Sequence, residues 1–260
     1  MSQRYKVVIE YDGTDFAGFQ VQPHQRTVES VLTKVVNQIA KNPQPAIQVF
    51  GSGRTDAGVH AHGQVIHFDL PKPIPAPNLR LALNSMFPLD MAVVSVEEVD
   101  DTFHARFSTH GKRYRYIVSN TPFVDPFKRN YTGHYKYPLN FDRMQTASRD
   151  LIGEHDFTSF VASGSQAKSN IRMIYDVQVH ERPENHEFVF DFYGSGFLYN
   201  QVRIMVALLL QIGNGRRPVN DIPRVMAAKD REEARETAPA SGLYLESVLY
   251  DKHVSDENNN

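Results

Sequence analysis

Gly51-Ser52-Gly53-Arg54-Thr55-Asp56-Ala57-Gly58-Val59-His60-Ala61 is the stretch from which the rest of the chain is read. Three glycines, an arginine, an aspartate and a histidine fall within eleven residues. The flanking runs, Ile47 to Phe50 and Gln64 to Asp69, read as strands. Glycine at this density admits φ > 0 backbone and close approach of a ligand. Such a loop holds Arg54 and Asp56 at fixed positions. A carboxylate with a cationic helper on a loop is a candidate nucleophile or base. The competing reading is an Asx turn, in which Asp56 only bonds its own backbone.

Outward from the loop, strands and helices alternate irregularly. Tyr5 to Tyr11 alternates and is rich in β-branched and aromatic residues, a strand. Thr27 caps a helix in which Val28, Val31, Leu32, Val35, Val36 and Ile39 recur at helical spacing. Asn78 to Met86 follows a proline-rich loop as a second helix, and Ala92 to Val99 is a strand. The pattern restarts after Asp100-Asp101. Arg113 to Ser119 is a strand, and Asn140 caps a helix through about Ile152, stopped by Gly153. Arg172 to Glu181 and Glu187 to Tyr193 form an antiparallel pair. Leu198 to Ile212 is a helix closed by Gly213. Asn220 or Asp221 opens a short helix to about Ala228, and Leu243 to Tyr250 is the last strand. The class is α+β. The division expected is an N-terminal half over 1–105 carrying the aspartate loop, a C-terminal half over 106–250, and a disordered tail over 251–260.

Composition narrows the function. With 260 residues, 41% hydrophobic and 22% charged, the chain suffices for one large domain or two modest ones. No apolar run approaches the roughly 20 residues that cross a bilayer, and no secretory signal is expected at the N-terminus. With no cysteine, disulfides and thiolate metal sites are excluded, which is consistent with a cytoplasmic location. The net charge of −2 argues mildly against nucleic acid. Distribution matters more than the sum. His104, Arg106, His110, Lys112, Arg113 and Arg115 cluster before and within one strand, and Arg203, Arg216 and Arg217 around one helix. A basic face on a slightly acidic protein is the preferred reading, against scattered, solvated charge.

Several motifs occur in a shared order: Tyr11-Asp12-Gly13-Thr14 with Gly18-Phe19-Gln20; the loop itself with Gly63-Gln64-Val65; Phe103-His104-Ala105-Arg106-Phe107-Ser108 with Arg113-Tyr114-Arg115-Tyr116; Asp156 to Phe160; Val202-Arg203; and Gly242-Leu243-Tyr244-Leu245. This set, from about Tyr5 to Tyr250, resembles the tRNA pseudouridine synthase A family. One departure is visible: Phe19 stands where the family usually has Trp, and this chain has no Trp. Packing is expected to survive there without the indole N–H.

The resemblance implies two α+β halves with mostly antiparallel sheets joined into one central sheet, helices behind it and an RNA-binding cleft between. It implies isomerisation of uridine to pseudouridine at positions 38, 39 and 40 of the tRNA anticodon stem-loop. It also implies no cofactor, and a homodimer whose partner helps bind tRNA. The reaction breaks N1–C1′, turns the uracil and rejoins it through C5. Asp56 is the expected catalytic carboxylate, by attack on the sugar, attack on the base or proton abstraction; carboxylates do comparable work in glycoside hydrolysis. Arg203, on an apolar helix, must snorkel to water or find an acid. The resemblance pairs it with Asp56. On the strand of Tyr114, arginines take one face and tyrosines the other. By that alternation both tyrosines could be core, and Tyr116 is read so. The resemblance assigns Tyr114 to stacking on the flipped uracil and aid in proton transfer. Arg54 is similar to a family arginine that contacts RNA. Leu243 and Leu245 read by themselves as core; the resemblance suggests that one of them, Leu245 in preference to Leu243, packs beneath the base.

Two other readings compete. One is a non-catalytic RNA-binding protein of the same fold. The other is a metal-dependent hydrolase built on His60 and His62, with His67 nearby. A His-x-His pair on a strand points both rings one way, but no third ligand stands at usual spacing, and no metal is expected.

Overall fold

A computed structural model describes residues 2–250; the expectation for 251–260 lies outside the described residues. In chain order the elements are β1 (Gln3–Tyr11), α1 (Val28–Ile39), β2 (Phe50–Gly51), β3 (His60–Leu70), α2 (Ala76–Met86), β4 (Met91–Val99), β5 (Gly111–Ser119), β6 (Gly133–His134), α3 (Phe141–Ser148), β7 (Gly153–Asp156), β8 (Ile171–Arg182), β9 (Glu187–Gly194), α4 (Gln201–Gly213), α5 (Asp221–Ala228) and β10 (Leu243–Leu249). The class is α+β, with mostly antiparallel pairing. The chain divides into two compact units, Met1–Lys112 with Leu245–Asn260, and Arg113–Tyr244. Both boundaries fall inside strands, β5 and β10, so the last strand returns to the first unit.

In the first unit, strand order is β4-β1-β3-β10, with β2 also on β3. β1 pairs antiparallel with both neighbours, Val7 facing Ile66 of β3 and Val96 of β4. Period-2 alternation buries Tyr5, Val7, Ile9 and Tyr11. Thr27 and Ser30 close a capping box that starts α1. Its Val28, Leu32, Val35 and Val36 are buried. α2 begins two residues earlier than its pattern suggested, because Pro77 fits the first turn. The sequence reading placed a strand over Ile47 to Phe50; only Phe50 and Gly51 pair. The Ile47 amide and carbonyl are taken instead by the Asn37 side chain, at 2.8 and 3.0 Å. Those bonds leave no ladder for Ile47 to join.

In the second unit the order is β5-β9-β8-β7, with β6 parallel to β5. β8 and β9 form the antiparallel pair foreseen, Val179 facing Phe190. α4 is buried along nearly its whole length and packs on α3. It starts at Gln201 rather than Leu198, because Asn200 is left-handed (φ 59°) and breaks the helical run. Asn140 caps α3, its side chain accepting from the Arg143 amide. The helix ends at Ser148 and not Ile152; a single tighter turn follows before Gly153 (φ +116°) enters β7. Asp221 opens α5 and is gripped at 2.7 Å by both Arg217 and Arg224. β6 and β7 were not foreseen, being too short for alternation to register.

Candidate active site

The loop between β2 and β3 is fastened along its length. The Ser52 amide donates to the Val65 carbonyl (2.8 Å), and the Ser52 hydroxyl to Gln64 Oε1 (2.6 Å). Gln64 Nε2 returns to the Gly53 carbonyl (3.0 Å). Lys112 Nζ donates to the Ser52 carbonyl (2.9 Å). Tyr11 and Thr55 share a buried hydroxyl–hydroxyl bond of 2.8 Å. The Thr55 carbonyl accepts from Phe19 N (3.0 Å), and Gly58 N donates to Phe16 O (3.2 Å). The Asp56 carbonyl accepts from Val59 N at 3.1 Å, closing a turn. The Asp56 side chain is half-buried. Its backbone is thus over-determined, the condition for a pre-organised carboxylate.

Two glycines explain how the loop sits so close to the β1 turn. A Cβ on Gly13 would lie 2.0 Å from the Val59 carbonyl, and Gly18 (φ +95°) faces the Thr55 carbonyl. Phe19 is buried with its ring over Gly51, so an aromatic without an indole N–H does pack there. Arg54 is exposed and donates from Nε to Gln20 Oε1 (2.9 Å); Gln20 in turn donates to Glu29 (2.6 Å) at the start of α1. Leu245 is 1% exposed, on β10 in the same unit.

Tyr11 predicts a measurable effect. Burial pushes its phenol up to about 12, against the opposing bonds from Thr55 and Gln64, so it stays neutral. Tyr11→Phe is expected to lower stability by about 1 kcal/mol, the net worth of one buried bond. A urea midpoint that does not move would show that the loop holds without it.

Tyr114 and Arg203 belong to the second unit. Tyr114 is 8% exposed and meets Phe197 edge-to-face, ring centres 5.2 Å apart at 82°. Tyr116 is fully buried and donates to the Pro239 carbonyl (2.7 Å), a core role as expected. Arg203, half-buried, is the third residue of α4. Its Nε donates to the Ala238 carbonyl (2.7 Å) and its Nη1 to Asn200 Oδ1 (2.7 Å). The guanidinium is therefore fixed by protein groups at the N-terminal end of the helix.

The histidines are otherwise engaged. His60 is buried, its Nδ1 accepting from the Gly13 amide (2.9 Å). The Asp12 carboxylate stands 3.2 Å from the same nitrogen. His62 is exposed. His67 stacks on Phe50 at 5.0 Å and accepts from the Ala105 amide. Burial, then repulsion from His104, pulls His67 down to about 4, so it is neutral near pH 7. Among the described residues no three His, Cys, Asp or Glu side chains are grouped to hold a metal ion.

Sequence reasoning missed Lys112 as a loop contact, together with Gln64, Gln20 and Asn200. The signal for Lys112 was present: in β5 the alternation that buries Tyr114 and Tyr116 also turns Lys112 to their side of the strand. The Lys112 stem is partly exposed while its ammonium is enclosed. Burial, then repulsion from Arg106, lowers its pKa from 10.5 to about 8.

Comparison with known proteins shows the family. A family model described as tRNA pseudouridine synthase matches residues 7–108 and 147–251. These segments contain Arg54, Asp56, Arg203 and Leu245; Tyr114 and Lys112 lie between them. The tRNA pseudouridine synthase A of Limosilactobacillus fermentum is 65% identical over 255 residues, 98% of this chain and 99% of that protein. Those of Ligilactobacillus salivarius and Levilactobacillus brevis are 60% and 59% identical, covering 97% and 95% of this chain and 98% and 94% of theirs. Fold, loop and matches define an RNA-modifying isomerase. The chain belongs to the tRNA pseudouridine synthase family, whose reaction is the isomerisation of uridine in tRNA. Nothing in these matches favours a non-catalytic RNA-binding protein.

Proposed function

We propose that this enzyme isomerises uridines 38, 39 and 40 in the anticodon stem-loop of tRNA, with Asp56 as the catalytic carboxylate. The observation that carries the reading is the half-buried Asp56 on a loop fastened at Ser52, Gly53, Thr55 and Gly58. Arg203 orients Asp56 and keeps it ionised, a role suited to a guanidinium that Ala238 and Asn200 already fix. Tyr114 stacks on the extruded uracil and assists proton transfer. Its ring is held edge-on by Phe197, which suits a platform. Arg54 contacts the RNA, and Leu245 packs beneath the base. Acting on adjacent uridines calls for recognition by RNA shape and backbone rather than by strict base readout. The enzyme works in the cytoplasm, where tRNA is, as a homodimer and without a cofactor. No helix among the described residues is long and apolar enough to cross a membrane.

The test is release of tritium from tRNA labelled at uracil C5, followed by mapping of the product. Forming the new C–C bond must expel that hydrogen. Release by the wild type in chelator, with pseudouridine at 38 to 40 only, is the expected result. Product elsewhere in the tRNA would overturn the target assignment, and sedimentation at the mass of one chain would overturn the dimer.

A further inference from the structure

Among the described residues two cations of the first unit, Lys112 against the glycine loop and Arg106 six residues before it, make no ion pair. Lys112 Nζ donates to the Ser52 carbonyl at 2.9 Å. Among the described residues it has no other hydrogen bond and no carboxylate within ion-pairing reach. An ammonium has three donors, so two remain uncommitted. Arg106 is exposed, its guanidinium 5.8 Å from the Phe107 ring centre, and it too makes no ion pair among the described residues. The two charges repel, and that repulsion adds to burial in lowering the affinity of Lys112 for its proton. Gly53 completes the arrangement: a Cβ there would lie 2.2 Å from Lys112 Nζ. The ammonium thus occupies the space of the missing side chain, three residues before Asp56.

A mere fastener for the Ser52 carbonyl needs no charge. A neutral donor would do it without the desolvation cost of an enclosed cation. A cation enclosed against the loop, with no ion pair among the described residues, suits an anion from outside the chain. RNA supplies one at every nucleotide, and a compact ammonium suits a phosphate oxygen.

We propose that Lys112 and Arg106 hold a phosphodiester of the tRNA backbone against the Gly53 side of the loop. The inference rests on tRNA being the substrate. It makes the loop a point of backbone grip as well as of chemistry, and sets the register of the nucleotide offered to Asp56.

The experiment measures tRNA affinity across a salt series for wild type, Lys112→Met and Arg106→Gln. Each substitution is expected to weaken binding roughly tenfold at low salt, the loss of one charge-assisted contact. Each should also reduce the slope of log K on log salt by about 0.7–0.9. Lys112→Arg should recover most of the slope. Gly53→Ala should reproduce Lys112→Met, since its Cβ displaces Nζ. Lys112→Met should melt no lower than wild type, because it removes an unpaired enclosed charge. In the wild type, the depressed pKa means that the folded state binds fewer protons than the unfolded chain between about pH 8 and 10.5. Stability contributed there rises with pH, and Lys112→Met loses that rise. Wild-type affinity and slope in both variants would overturn the phosphate site. A lower melting temperature with unchanged tRNA binding would overturn it too, leaving Lys112 a fastener. Tritium release run alongside separates the two readings. Release with unchanged slopes rejects the phosphate site alone, and no release by the wild type rejects the isomerase reading.

Discussion

Asp56→Asn is expected to abolish tritium release from C5-labelled tRNA while leaving fold and tRNA binding intact. The substitution keeps size and shape and removes only the ability to carry negative charge. Every bond that fixes this segment through its backbone survives, including Val59 N to the Asp56 carbonyl and Phe19 N to the Thr55 carbonyl. The side chain is only half-buried, so the change in stability should stay within about 1 kcal/mol. The rate, by contrast, should fall by at least about 10⁴-fold, the scale seen when a group acting directly on the reacting atoms is removed. Single-turnover release and a urea denaturation curve settle the two halves together. Turnover within tenfold of wild type would remove Asp56 from the chemistry. A collapsed denaturation midpoint would show instead that the carboxylate holds the loop.

Arg203→Leu is expected to cost about 10²–10³-fold in turnover, the usual loss on deleting one fixed electrostatic partner from an active site. Stability should change little. Leucine retains the apolar stem of the arginine on a helix that is otherwise buried on both sides of it. The Ala238 amide still donates to the Arg203 carbonyl (3.1 Å), since that bond is backbone to backbone. What is lost is the guanidinium, with its bonds to the Ala238 carbonyl and Asn200 Oδ1. Wild-type turnover in this variant would make Arg203 a purely structural clamp. A large drop in melting temperature would show that the same two bonds hold the chain at Ala238.

Much of this protein was legible before any coordinates. The Thr27 cap and the α1 stripe could be placed because a helix start and a 3.6-residue period are local signals. The β8–β9 pair and the inward tyrosines of β5 could be placed because alternation records which face is buried. The loop declared itself by composition, with Gly51, Gly53 and Gly58 inside eleven residues; only the structure showed that Gly13 and Gly18 let the β1 turn lie against it. The errors fall where tertiary contacts overrule local preference. Ile47 reads as strand, but a side chain from α1 takes both its backbone groups. Leu198 reads as helix, but Asn200 turns left-handed ahead of α4.

The candidate site divides along the same line. Sequence by itself determined which residues are chemically capable: Asp56, Arg54, Arg203 and Tyr114 stand out by type and by setting. It also determined the period that turns Tyr114 inward on its strand. Only the tertiary structure decided what each one touches. Gln64 grips the loop from β3, twelve residues after the Ser52 it accepts from. Ala238 reaches Arg203 across 35 residues, and Lys112 reaches Ser52 across 60. Such partners are chosen by how the chain packs, since a hydrogen bond depends on distance and angle and not on separation along the sequence.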